Sequence, residues 1–191
     1  MPDSAAASLV LAAAAGDQHA WDELVDRYAG LVWSIARGYR LGFADAADVS
    51  QTTWLRLVEH LDRLRDPEHV GSWLATTARH ECLRVLRRSN REVPDDSLET
   101  ERDTVPDQGP TPESVVLSNE RRALVLEALG ALSERCQLLL RVLASSAQPR
   151  YSDVSAALEI PVGSIGPTRA RCLEHLRREL ERQHAMFDAG D

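Results

Sequence analysis

The chain has 191 residues, with 22 basic against 30 acidic side chains, a net charge of −8, and 43% hydrophobic and 27% charged residues. That composition belongs to a folded chain long enough for one medium domain or two small ones, and it excludes low-complexity and membrane-spanning classes. The charge is uneven: residues 1–91 sum to −1, residues 92–120 to −8 and residues 121–191 to +1, so the acidic total does not argue against nucleic acid as a partner. Every basic residue is arginine, a composition expected of a GC-rich genome and not evidence of chemistry at any one position.

The N-terminal "MPDSAAASLVLAAAAGD" carries Asp3 and no basic residue before Arg27, which is not the pattern of a secretory signal. Its apolar run is too short to span a bilayer, so it reads as the start of the first folded helix, and the protein as cytoplasmic. Leu24, Tyr28, Leu31, Ile35 and Tyr39 then form one apolar stripe at helical period, with Gly42 as the expected stop. Asp45 to Asp48, "DAAD", puts acid at the start of a second helix, where the helix dipole favours it. That helix carries Trp54, Leu57, Val58 and Leu61 inward. "RDPEHVGS" breaks the pattern, and a third helix starts near Ser72 with Leu74, Ala78, Cys82 and Val85/Leu86. Trp21, Trp33 and Trp54 fall within apolar patterns and are expected in the core.

Residues 92–112 hold four prolines, no aromatic and a strong negative balance, which predicts a flexible linker. Helices resume near Glu113. Ser133 is the expected N-cap of "ERCQLLLRVLA", Ser152 of a short helix, and Ser164 of a last helix whose Ile165, Arg169, Cys172/Leu173, Leu176 and Leu180 fall at near-helical intervals. No alternating β pattern of any length is present, so the fold class is all-α. Cys82, Cys136 and Cys172 are odd in number and far apart, which predicts a reducing compartment, no disulfide and no zinc site. His80 and Cys82 stand two apart on a helix and cannot share a metal ion. No G-x-x-x-x-G-K-[ST], H-E-x-x-H or G-x-S-x-G is present, so neither catalytic residues nor a cofactor is expected.

Residues 151–182 have the grammar of a helix-turn-helix, with Pro161 and Gly163 in the turn. In that geometry Ser164, Gly166, Pro167, Thr168, Arg169 and Arg171 meet duplex DNA, and Arg177, Arg178 and Arg182 suit phosphates. Pro167 is expected in the first turn, where a proline is tolerated. A second basic cluster, Arg79, Arg84, Arg87, Arg88 and Arg91, follows Trp73, an aromatic that can stack on an unpaired base or join the core.

At these residues the chain resembles a known family. "GDQHAWDELVDRYAGLVWSIARGY", "DAADVSQTTWLRLVEHL" and "WLATTARHECLRVLRR" look like region 2 of group 4 (extracytoplasmic-function, ECF) sigma factors of the sigma-70 family. "LSERCQLLLRVLASSAQPRYSDVSAALEIPVGSIGPTRARCLEHLRREL" looks like their region 4. The resemblance implies region 2 at 8–91, the acidic linker at 92–112 and region 4 at 113–184. It implies a non-catalytic protein that binds core RNA polymerase, on a coiled coil of the largest subunits and on a flap, and directs it to promoter DNA. Asp45, Asp48, Gln51, Thr52 and Arg56 would face the polymerase. The loop holding Arg65, Asp66, His69 and Ser72, with Trp73 and His80, would hold a flipped −10 base, a transfer that costs a few kcal/mol. Arg79, Arg84, Arg87 and Arg88 would hold the phosphates beside it. Ser164, Gly166, Pro167, Thr168, Arg169, Arg171, Arg177 and Arg178 would read the −35 element. An anti-sigma partner is possible, and no membrane insertion is expected. The −35 helix departs from the family's usual "GTVKSRL": here "GSIGPTR" leaves readout to Arg169 and Arg171. A DNA-binding regulator that acts alone as a dimer, and a protein that occupies polymerase without starting transcription, remain the rival readings.

Overall fold

Asp3 accepts the N–H of Ala6 at 3.0 Å and so caps α1 (Ser4–Ala14), the first helix of a computed structural model that describes residues 3–92, 122–146 and 148–188. The apolar N-terminal run is thus a helix of its own, not the opening of the longer one. Gly16, at φ +92°, turns the chain, and Asp17 caps α2 (Gln18–Gly38) by accepting from His19 and Ala20. The expected stripe of α2 is inward, with Leu24, Tyr28, Leu31 and Ile35 buried. The helix stops at Gly38 rather than Gly42, because Arg40 takes the left-handed conformation at φ 57°; Gly42 instead precedes α3 (Phe43–His60).

On α3 the inward positions are Ala46, Val49, Thr53 and Leu57, a 3, 4, 4 spacing. Val58, expected inward, is therefore 56% exposed. Two 3-10 turns, Leu61–Arg63 and Pro67–His69, lead to α4 (Val70–Glu92). Helical residues 122–130 form α5, followed by α6 (Glu134–Ala144), α7 (Tyr151–Leu158) and α8 (Val162–Asp188). Ser133 caps α6 as its position predicts, accepting the Cys136 N–H at 3.4 Å. Ser152 and Ser164 are not caps, since α7 and α8 begin before them, at Tyr151 and Val162. Pro167 is accordingly past the first turn of α8, where it has no N–H to give the carbonyl of Gly163. No strand occurs among the described residues. Beyond Glu92, the predicted linker and the start of the helix expected near Glu113 lie outside them.

The two helical groups are docked on one another and share one core. The cluster runs from Leu24, Ile35 and Leu74 to Leu139, Val154 and Ile165, each side chain adding about 1.5–3 kcal/mol by leaving water. α6 packs on α2 and α7 on α4. Gly38 allows the first contact: a Cβ there would sit 2.5 Å from Leu138 Cδ1 and 3.1 Å from its Cα. Gly71 allows the second, since its Cβ would meet the Asp153 carboxylate at 2.5 Å and the Tyr28 ring at 2.8 Å. Arg150 pairs with Asp3 at 2.6 Å across the same seam, and Arg27 pairs with Asp3 at 2.7 Å from within the first group.

Two expectations change, for a cysteine pair and for the tryptophans. Cys136 and Cys172 form a disulfide, their Cα atoms 5.4 Å apart; sequence spacing cannot show that α6 and α8 bring together residues 36 apart. Cys82 is the free, buried cysteine, its thiol pushed up to about 12 by burial. Trp21, Trp33 and Trp54 are half-buried at the core's margin, with Trp21 set edge-on to Trp54 and Trp33 edge-on to Phe43.

Candidate nucleic-acid interface

A cavity of about 600 Å³ opens where the end of α3, the two short turns and the first half of α4 meet. Six of the residues predicted to meet an unpaired base line it together: Arg65, Asp66, His69, Ser72, Trp73 and His80. Trp73, Thr76, Thr77 and His80 share one face of α4, three and four residues apart. His60 stands across from Trp73, ring centroids 6.0 Å apart. Its Nδ1 lies 2.9 Å from the Arg56 carbonyl, which can only accept, so Nδ1 carries the proton. The cavity offers an aromatic wall, hydroxyls, and the guanidinium groups of Arg63 and Arg65: a stacking platform beside positive charge, the arrangement an unstacked base and its phosphate need. Sequence reasoning missed His60, Arg63, Leu64, Thr76 and Thr77. The signal was available for the threonines, at i+3 and i+4 from Trp73, and absent for His60 and Arg63, which belong to another element.

The cationic side chains beyond the cavity do not act as one group. Arg87 and Arg88 are exposed on the outer part of α4. Arg84 is also exposed but is 3.3 Å from buried Glu81. Arg79 turns the other way and is ion-paired with Glu159, at the C-cap of α7. Ser72 is shared: it lines the cavity, and its hydroxyl donates to Asp153 Oδ1 at 2.7 Å. The second helical group thus covers one flank of the predicted −10 surface. His80 lines the cavity while Cys82 is buried, so the two point apart.

On α3, Asp45, Asp48 and Gln51 are exposed, and Thr52 is half-buried. Arg56 is turned into the molecule, 3.0 Å from Glu81. Leu55 and Val58, each 56% exposed, extend the Asp48–Gln51–Thr52 face, and Phe43, 60% exposed, stands at its start. Of the three, the apolar pattern of this helix names only Val58, as an inward residue, and passes over Leu55 and Phe43.

On α8, Ser164, Pro167, Arg169, Arg171, Arg177 and Arg178 are exposed, and Gly166 and Thr168 half-buried, so the predicted duplex-facing residues lie along one accessible helix. Ile165 and Cys172, both buried, fix which face that is. Arg171 Nη2 is 3.4 Å from Thr168 Oγ1. Arg177 pairs with Glu181 at 3.6 Å and Arg182 with Glu179 at 2.5 Å, neighbours that compete with phosphate. Among the described residues Arg169 has no such acid partner. None of these helices is long and apolar enough to cross a membrane.

Residues 24–92, which build the cavity and α3, match the profile of Sigma-70 region 2. The chain is 29% identical over 169 residues to the ECF RNA polymerase sigma factor SigE of Mycolicibacterium smegmatis, covering 86% of this chain and 64% of that one. It is 26% identical over 180 residues to the probable RNA polymerase sigma factor RfaY of Xanthomonas campestris pv. campestris, covering 93% and 44%. The chain thus spans less than two thirds of the length of either relative. In fold it is similar to CnrH, solved in complex with the cytosolic domain of CnrY, with a TM-score of 0.58 at 22% identity over 98% of this chain and 99% of that one. Residues 24–92 are thus similar to Sigma-70 region 2, and most of the chain is similar to an ECF RNA polymerase sigma factor.

Proposed function

We propose that this chain is an ECF sigma factor of the sigma-70 family, a non-catalytic initiation subunit that binds core RNA polymerase and directs it to promoters. Region 2, the α1–α4 group, opens the −10 element, and region 4, the α5–α8 group, reads the −35 element. The observation that carries the reading is the cavity: Trp73 and His60 flank it, Arg63 and Arg65 line it, and all four fall in the segment that matches Sigma-70 region 2. A base leaving the duplex loses its stacking, and an aromatic wall returns about 1–3 kcal/mol of it. The α3 face takes the polymerase, with Asp45, Asp48, Gln51 and Thr52 joined by Leu55 and Val58, because exposed aliphatic side chains among polar ones mark a protein contact. Region 4 reads duplex through Arg169 and Arg171, with Thr168, Ser164, Arg177 and Arg178 toward phosphates and Gly166 and Pro167 shaping the backbone.

In this reading the docked arrangement opens on polymerase, since Ser72 and Arg79 reach DNA only after leaving Asp153 and Glu159. Closure also suits a protein antagonist: CnrH is solved with the cytosolic domain of CnrY, and a comparable partner here is part of the proposal. The test is run-off transcription with core polymerase, this protein and fragmented host DNA, with the 5′ ends sequenced. Discrete starts sharing upstream elements support the reading. Core binding without starts supports a protein that occupies polymerase, and no core binding ends the sigma reading.

A further inference from the structure

The disulfide joins the two parts of region 4 that have different tasks. Cys136 is in the first turn of α6, directly behind the Ser133 cap, and α6 is held firmly from several sides. Leu138 packs into the space left by Gly38 of α2, and the Gln137 side-chain amide donates to the carbonyls of Gly130 and Leu132 at 2.9 and 2.8 Å. Cys172 is on the inner face of α8, three residues beyond Arg169 and next to Arg171. The start of α8 is weak as a helix, since Gly163, Gly166 and Pro167 all lower helical propensity. Its placement therefore depends on its buried anchors, Ile165 and Cys172, and one of these is a covalent tie to a fixed platform.

The two sulfurs also differ in access. Cys136 is the more accessible of the two, at 9% against 1% for Cys172, so a peroxide reaches it first. Cys82 is fully buried in α4 and apart from both.

We propose that Cys136 and Cys172 are a reversible oxidation site through which a hydroperoxide strengthens the grip of region 4 on duplex DNA; the DNA half of this rests on the sigma reading above. The Cys136 thiolate attacks the peroxide O–O bond, forming an S–O bond and releasing an alkoxide or hydroxide that takes a proton. The Cys172 thiolate then attacks the sulfenic sulfur, forming the S–S bond and expelling hydroxide, which leaves as water. Two thiols are oxidised by two electrons, and one peroxide is reduced to water and an alcohol, or to two waters for hydrogen peroxide. A dithiol reductant reverses the change and leaves as its own disulfide.

The test uses the full chain, reduced and then treated with hydrogen peroxide. Peptide mass spectrometry, the melting temperature and run-off transcription on mapped promoters are read on each form. The expected result is a Cys136–Cys172 cross-linked peptide after peroxide and a melting temperature higher by on the order of 10 °C. Transcription should be stronger by about tenfold in the oxidised form, since a pre-placed helix binds with less ordering cost. Cys136→Ser and Cys172→Ser should both match the reduced wild type and ignore peroxide, while Cys82→Ser keeps the response. Peroxide leaving both thiols free, or a Cys136→Ser protein that transcribes like oxidised wild type, would overturn the proposal. Transcription absent from both forms would instead sink the sigma reading, with the cross-link still judged by mass and melting.

Discussion

Asp153 of α7 and Ser72 of α4, 81 residues apart, meet through a 2.7 Å hydrogen bond at the edge of the region 2 cavity. The bond makes one residue serve two surfaces. While Ser72 is held by α7 its hydroxyl is not available to another partner, and beside it Arg79 is held by Glu159.

Loosening that contact should expose the DNA surface. Asp153→Ala together with Glu159→Gln removes the partners of Ser72 and Arg79 without touching either. The expected outcome is tighter binding of single-stranded DNA by the free chain, by about 1 kcal/mol or more. Fluorescence anisotropy on the double variant checks it, with a dye pair across the seam reporting separation. Separation with unchanged DNA affinity contradicts the assignment.

The seam should respond to acid. Burial pushes the Asp153 carboxyl above its ordinary 3.8, against hydrogen bonds from Ser72 and Ser152 and the charge of Arg150. The docked form therefore binds more protons than the open one, so docking strengthens as pH falls from neutral through that raised value. Burial acts on Asp3 in the same direction, but the Ala6 N–H, Arg150 and Arg27 outweigh it and hold Asp3 below 3.8. Of these only Arg150 crosses the seam, so what Asp3 adds to docking is that pair, lost as pH falls through the lowered value. Docking should thus pass through a maximum in mild acid. Asp153→Asn should abolish the rise and keep the final loss, a difference visible in interdomain energy transfer across a pH series.

Arg56 and Leu55 are neighbours with opposite expected phenotypes. Arg56→Ala leaves Glu81, 5% exposed, with only Arg84 near it, and should lower stability by about 1–2 kcal/mol in a urea titration. Leu55→Asp changes an exposed side chain and should leave the urea midpoint unchanged. It should weaken core polymerase binding at least tenfold, measured by surface plasmon resonance, because it puts a charge into an apolar contact. Equal effects on stability would contradict the assigned faces.

Arg169→Ala should cost about 1–3 kcal/mol in −35 duplex binding and relax preference at the base it contacts. Arg177→Ala, at a side chain already paired with Glu181, should lower affinity less and without changing preference. Binding to a randomised duplex pool separates the two outcomes.

Much of this was legible along the chain. The order of helices, the Ser133 cap and the inward stripe of α2 follow from local pattern, whereas the run from Arg65 to His80 that lines the cavity is implied by the family resemblance. Periodicity says that a helix has an apolar face but not what covers it. Val58, expected inward, is turned out by the spacing of α3 itself, while Arg79, Arg56 and Cys136 are each redirected by a residue on another element. Gly38 and Gly71 show why: the docking of the two helical groups depends on missing side chains, which leave no mark in a hydrophobic pattern.

The central claim is that the cavity beside Trp73 captures a base as the promoter opens. Its most direct measurement is permanganate reactivity of −10 thymines in complexes of core polymerase with wild-type or Trp73→Ala protein on a mapped promoter. The account predicts strong reactivity with the wild type and its loss with Trp73→Ala, at unchanged polymerase binding. Equal reactivity with both proteins would contradict it.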